Sequence, residues 1–327
     1  MNSRSVCASI TATLCATLTL ASAQVMAAKP GGGGSTACTT AVDFPAFAYW
    51  KPGGKTMEIL VADATGKCVR SVINSSGSGG TIQFSYPVGD PLNRRGRIAW
   101  VAAPAVVSVD FTVDALTKQV TVFAKKTIYS GTGGFISLSK SGNELYSTRY
   151  LGSGGLVIER LELDSVGVPV PNTTSTVFEA PVGSNVQTIS VNSAETVIFA
   201  DYKPIAGATV SQLVWIPLDG SSTYSVIDSN NSSKEFSPAA GPSADRVAYQ
   251  KYMVTSGGCD ALVTSVGYGP ATYPQQAAYG MKPTWLDGYV LADGQTATCS
   301  YTGTIMQTDP MSGLQVAVTS GYDPDGR

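Results

Sequence analysis

The chemistry open to this chain is set by what it lacks and by where its carboxylates fall. There is no histidine among the 327 residues. The commonest general base and the commonest zinc ligand are therefore missing, and a Ser-His-acid triad is excluded. Acid–base or metal chemistry would have to come from Asp and Glu. Asp110, Glu162, Asp201 and Asp260 could offer oxygen ligands to a hard cation, which needs several, but no spacing compels them to converge. Asp63, Asp219, Asp287 and Asp309 stand where apolar runs give way to small residues, the place where Asp caps tight turns through local hydrogen bonds. Asp323-Pro324-Asp325-Gly326 is like a fragment of a calcium loop that lacks the remaining ligands, and reads as a solvated terminal turn. The Gly-rich stretches 77–80 and 131–134 open no helix, so they are not phosphate cradles. No residue is assigned a catalytic, cofactor-binding or metal-binding role, and no cofactor is expected.

A different pattern points to recognition. Trp50-Lys51-Pro52, Tyr202-Lys203-Pro204 and Lys251-Tyr252-Met253 occupy comparable places in a repeated unit, and repeat symmetry would put them on one rim. Aromatic residues beside Lys are good interface anchors, because they cover a large area at low entropic cost. Trp50, Lys51, Tyr202, Lys203, Lys251 and Tyr252 are therefore the candidate binding rim. The competing reading packs Trp50 and Tyr202 between structural units, where replacing them would harm folding rather than binding.

The repeated unit emerges when the chain is slid against itself by about 50 residues. Ser193-Ala194-Glu195-Thr196-Val197-Ile198-Phe199 matches Ser243-Ala244-Asp245-Arg246-Val247-Ala248-Tyr249, and Arg97-Ile98-Ala99-Trp100 matches Arg246-Val247-Ala248-Tyr249. With Phe47, Ile98, Leu145, Val197, Val247 and Val290 as equivalent anchors, six units fill residues 36–327. Each unit reads as four short strands. In the second they are Thr81–Tyr86, Arg97–Ala102, Val106–Val113 and Gln119–Phe123; in the fourth, Val186–Val191, Thr196–Tyr202, Gln212–Ile216 and Thr223–Ile227. These segments are rich in β-branched and aromatic residues and bounded by Gly, Pro, Asp and Asn. One four-stranded sheet cannot bury both faces alone, whereas six around an axis can. The expected fold is thus all-β, a six-bladed β-propeller of four-stranded antiparallel blades.

Ile59-Leu60-Val61-Ala62-Asp63-Ala64-Thr65-Gly66 resembles the strand and Asp-x-x-Gly turn of TolB-like propeller repeats, of the WD40-like type. Trp215-Ile216-Pro217-Leu218-Asp219-Gly220 is a similar ending. The Arg-Ile-Ala-Trp and Arg-Val-Ala-Tyr segments are similar to that superfamily's second strand, and Ser237-Pro238 to its Ser-Pro-Asp-Gly turn. The resemblance spans nearly all of residues 36–327 and implies a bacterial envelope protein with a protein partner.

Compartment is read from the N-terminus and the cysteines. Arg4, the apolar run Ala8–Leu20 and Ala21-Ser22-Ala23 form an export signal over residues 1–23, with cleavage after Ala23. Residues 24–35 hold a Gly-rich tether. Cys38, Cys68, Cys259 and Cys299 are an even number in an oxidising space and are expected to form disulfides. Cys38 with Cys68 and Cys259 with Cys299 is the favoured pairing, and a bond clipping the two ends of the chain together stays open. The expected location is periplasmic or secreted. Formal charge near −2 with no basic block excludes nucleic acid as a partner, and no apolar stretch after the signal is long enough to span a membrane. The expected function is a monomeric, non-catalytic protein-binding or scaffold module. Two competitors remain: a carboxylate- or metal-dependent glycan or lactone hydrolase, which needs acidic residues converging on the channel, and an adhesin built as a β-sandwich or solenoid, which ring closure would reject.

Overall fold

The computed structural model describes residues 38–326, apart from 53–55, 76–80, 90–91, 93, 131–133, 153, 206–209, 231–235, 242–245, 254–258, 267–274, 296–299 and 313. The export signal, the tether and Cys299 lie outside the described residues. The chain alternates short strands with turns. In blade I run β1 (Phe47–Pro52), β2 (Met57–Ala62) and β3 (Val69–Ser75). Blade II holds β4 (Ile82–Ser85), β5 (Arg95–Ala102) and β6 (Ala105–Val113), and its outer position is shared by β7 (Val120–Val122) and β8 (Lys126–Ser130), which both pair with β6. Blade III is β9 (Ile136–Leu138), β10 (Glu144–Tyr150), β11 (Leu156–Glu162) and β12 (Ser175–Ala180); blade IV is β13 (Asn185–Val191), β14 (Val197–Lys203), β15 (Ser211–Pro217) and β16 (Ser225–Asn230).

Blade V comprises β17 (Ala239–Ala240), β18 (Arg246–Met253), β19 (Cys259–Val266) and the first half of β20 (Gln275–Leu286). The second half of β20 is the innermost strand of blade VI, followed by β21 (Tyr289–Gln295), β22 (Tyr301–Thr308) and β23 (Gln315–Ser320). β24 (Tyr322–Gly326) then pairs antiparallel with β1, Phe47 opposite Gly326, and becomes the innermost strand of blade I. The two ends of the chain therefore share one blade. That closure rejects the sandwich and solenoid readings, since a ring leaves only short, protected edges.

The six sequence anchors fall on equivalent elements. Phe47, Ile98, Leu145, Val197, Val247 and Val290 lie on β1, β5, β10, β14, β18 and β21, the second strand of each successive blade, and all are buried. They can repeat because the second strand is covered on both faces by neighbouring blades, so its apolar positions are fixed by packing. The expected strands of the second and fourth units are found within a few residues of their predicted limits, and β8 is the addition.

The Asp turns also recur. In the hairpin joining the third strand to the fourth, Asp63 accepts from the Cys68 N–H at 2.9 Å, Asp114 from Thr117 at 2.7 Å, Asp164 from Val168 at 2.7 Å, Asp219 from Ser221 at 2.9 Å and Asp309 from Met311 at 2.8 Å. Gly66 has φ 67° there and its Cα stands against the Val318 carbonyl, so no larger residue fits. Backbone N–H groups hold the carboxyls of Asp114 and Asp309 below the usual range, and the Ser221 hydroxyl and N–H do the same for Asp219.

Cys38 and Cys68 are bonded across 30 residues. Their link anchors the segment leading into β1 against the turn that follows β2, and both cysteines are buried. In the chain-entropy account a loop of that size contributes roughly 2–4 kcal/mol. Cys38→Ala with Cys68→Ala is expected to lower the urea midpoint by the corresponding amount, and an unchanged midpoint would show that blade I is held without the bond.

Candidate functional site

The innermost strand of every blade faces the axis, and together they enclose a cavity of about 270 Å³. Its wall sets apolar side chains such as Phe84, Phe135 and Trp285 beside hydroxyl and amide groups: Thr81, Gln83 and Ser85 from the β4 segment, Ser137 from β9, Thr188 and Ser190 from β13, and Thr284 from β20. Charge enters through Lys140, Lys282, Asp287, Asp323 and Asp325.

Six equivalent positions on these strands form a ring of side-chain to backbone hydrogen bonds. Gln83 Oε1 accepts from the Leu138 N–H of the next blade at 3.0 Å, Ser137 Oγ from Val191 at 3.0 Å, and Ser190 Oγ from Ala240 at 2.9 Å. Across the closure, Thr284 Oγ1 accepts from Gly326 at 2.8 Å and Asp325 Oδ2 from Phe84 at 2.5 Å. The sixth position is Ala239, which has no acceptor side chain; there the Trp285 indole N–H donates to the Ala239 carbonyl at 3.1 Å. Each of the five side-chain acceptors satisfies a backbone N–H on the innermost strand of the next blade, an edge with no strand beside it.

Asp323 and Asp325 are thus part of the channel wall, on β24, and not a solvated terminal turn. The sequence reading fails because a Pro flanked by two Asp and a Gly is locally a turn pattern, whereas pairing with β1 makes the segment a strand, with an irregularity where Asp323 takes φ 53°. Asp325 keeps some surface on the channel, yet protein on all other sides makes burial dominant, and its carboxyl is pushed up to about 8 with the Asp323 charge adding to the effect. Asp293, on β21, is buried and accepts the Asp323 N–H at 2.6 Å; burial, then the nearby Asp323 carboxylate, pushes it up to about 7.

The four carboxylates considered for a hard cation do not meet. Asp110 is bonded to Arg95 and Arg97 inside blade II. Asp201 is buried on β14, where Oδ2 accepts the Phe236 N–H at 3.3 Å. Glu162 is at the far end of β11, 3.7 Å from Arg160, and Asp260 lies on β19 of blade V. Among the described residues no group of three His, Cys, Asp or Glu side chains is placed to hold a metal ion. Two further acidic groups escaped the sequence reading. Glu195 is pushed up by burial and then by Glu144, and Tyr146 donates to Glu144 at 2.8 Å with Arg160 on its other oxygen at 2.5 Å. They form a strut between blades III and IV.

The strand registers put the ends of β1, β14 and β18 beside the starts of β24, β13 and the segment leading into β17, on one face of the ring. Trp50 and Tyr202 stand there, but their side chains are buried in the cores between blades, at 1% and 2% exposure. Lys251 binds Asp228 through both carboxylate oxygens at 2.7 Å, with the Tyr249 hydroxyl on the same group at 2.9 Å, and so ties blade V to blade IV. Lys51 is exposed and Lys203 partly so; of the Tyr252 side chain nothing is described. The same face carries aromatic residues that the repeat pattern did not mark: Tyr150, Tyr301 and Tyr322 are 55%, 56% and 36% exposed, at the ends of β10, β22 and β24.

Among solved structures the chain is similar to TolB from Acinetobacter baumannii, with a TM-score of 0.58 and 11% identity over 86% of this chain and 65% of that one. The fold is a TolB-like six-bladed β-propeller. The chain spans about 65% of the length of that protein. It is also similar to a periplasmic gluconolactonase of Pseudomonas aeruginosa, with a TM-score of 0.46 and 11% identity over 85% and 97% of the two chains. The β-propeller domain of the Trilobed protease from Pyrococcus furiosus gives a TM-score of 0.43 and 11% identity over 91% and 99%. At such identities the likeness is one of fold, which hosts many functions. No protein-family model and no curated protein matches the sequence.

Proposed function

We propose that this propeller is a non-catalytic binding module of an oxidising compartment, periplasmic or extracellular, which holds a protein partner by shape and hydrogen bonding at the face where the innermost strands begin. The observation that carries this reading is the axial cavity. Every blade contributes to it, its wall sets hydroxyl and amide groups among apolar side chains, and the carboxylates at the closure are bonded to backbone N–H groups or to Lys282. Such a wall suits recognition, in which a few placed polar groups fix orientation. The exposed tyrosines around it, with Lys51, are the residue types that anchor protein interfaces. The Cys38–Cys68 bond supports the compartment.

The test is crosslink-assisted capture from envelope extract with the tagged chain, beside the variant Tyr301→Ala, Tyr322→Ala, Lys51→Glu and a control, Leu116→Ala, on the opposite face. Recovery of one protein that binds the wild type and the control directly, and the triple variant at least about tenfold more weakly, is the expected result. Equal binding by all three, or no specific partner, overturns it.

A further inference from the structure

The seam at which the ring closes concentrates buried acid. β24 brings Asp323 and Asp325, and β21 brings Asp293. Asp323 and Asp293 are each 6% exposed. The groups that face them from each packed element are few. From β20 come Lys282, 3.4 Å from Asp323 Oδ2, and the Thr284 hydroxyl, 3.3 Å from Asp325 Oδ1. From β4 comes the Phe84 N–H, and from β18 the Gln250 amide, which accepts the Lys282 N–H at 3.3 Å. Opposite Asp325 on β1 stands Ala48, which is uncharged. Three carboxylates thus share one paired cation among the described residues, and Lys282 is itself partly exposed. No other seam of the ring uses a carboxylate as its ring acceptor: the corresponding groups are Gln83, Ser137, Ser190 and Thr284.

These bonds are also what closes the molecule. Asp325 joins β24 to blade II, Thr284 joins it to blade VI, and Asp293 holds the Asp323 backbone. An uncharged carboxyl can accept the same N–H bonds while its own O–H donates to a neighbour; three carboxylates in one buried seam repel each other and lose solvation. We propose that β24 is a proton-dependent clasp, which holds the propeller shut while the three seam carboxyls are partly neutralised by protons and loosens when all three are ionised. Burial pushes all three carboxyls up, Asp293 to about 7 and Asp325 to about 8. The native state then binds more protons than the unfolded chain from the ordinary carboxylate range upward. The contribution is complete at acid pH and is lost as pH rises through the folded values.

Amide hydrogen exchange of the whole protein, expressed as protection factors so that the intrinsic pH dependence cancels, reads this out. Peptides covering β24 and β4 are expected to lose at least about tenfold in protection between about pH 6 and pH 9 relative to peptides covering β14 and β15 of blade IV. Asp293→Asn with Asp325→Asn, which keeps the acceptors without the charge, should abolish that difference. Lys282→Met, which removes the facing cation from a partly exposed position, should move the loss to higher pH. A constant ratio of β24 to blade IV protection across the range in the wild type overturns the clasp whether or not the double variant folds. So does an undiminished loss in that variant, or an unmoved midpoint in Lys282→Met.

Discussion

Asp110→Ala is expected to destabilise the fold by about 3–5 kcal/mol, the loss that follows when one partner of a buried ion pair is removed. Arg97 is fully buried. Its Nε donates to Asp110 Oδ1 at 2.7 Å and its Nη2 to Oδ2 at 3.0 Å, while Nη1 reaches the Gly142 carbonyl at 2.5 Å and Nη2 the Asp164 carbonyl at 3.2 Å. Those carbonyls belong to turns of blade III, so the guanidinium stitches blade II to its neighbour. Arg95 donates to the same Asp110 oxygen at 2.7 Å and lies 5.0 Å above the Phe123 ring. Without Asp110, two guanidinium groups would be left together without the carboxylate that bridges them. Lys126, whose ammonium is already held low by burial, would lose the Asp110 charge that offsets it. Urea unfolding should show the full loss in Asp110→Ala and a smaller one in Arg97→Met with Asp110→Leu, which removes both charges at once. A loss below about 1 kcal/mol in the single variant would mean that the network carries no more than a surface pair does.

What the sequence disclosed and what it hid follow from how repetition arises. The second strands repeat legibly because each meets the same surroundings, a blade on either side, and packing admits only apolar residues at Ile98, Leu145 or Val247. The Asp turns repeat because a side-chain oxygen two to five residues before an N–H is a local device. The axial ring repeats in geometry but not in residue type. Gln83, Ser137, Ser190, Ala239, Thr284 and Asp325 hold equivalent places, and a hydrogen-bond acceptor of any kind suffices, so sliding the chain against itself cannot align them. The rim residues show the opposite failure. Trp50 and Tyr202 recur for the same reason the anchors do, because they fill the space between blades, and recurrence by itself does not separate a packed aromatic from an exposed one. Lys251 was legible as a cation but its partner was not, since Asp228 lies on the outer strand of the preceding blade.

The ring also predicts the second large effect. Replacing Gln83, Ser137 and Ser190 together by Ala deletes three acceptors and leaves the N–H groups of Leu138, Val191 and Ala240 facing the axis without them. An unsatisfied buried donor costs about 1–3 kcal/mol, and because neighbouring members share strands the losses fall short of additive, so about 3–6 kcal/mol is expected for the triple variant. Thr81→Ala is the matched control: it also removes a channel hydroxyl, but one outside the ring, and should change stability by no more than about 0.5 kcal/mol. The comparison separates two accounts of the cavity. If the triple variant loses stability as expected, the axial hydroxyls are structural acceptors, and a bound partner must use the groups around them, such as Thr81 and the exposed tyrosines. If it loses no more than Thr81→Ala, water in the channel satisfies the backbone N–H groups equally well. The ring hydroxyls would then be available to a ligand, and the binding surface would extend from the face into the axis itself.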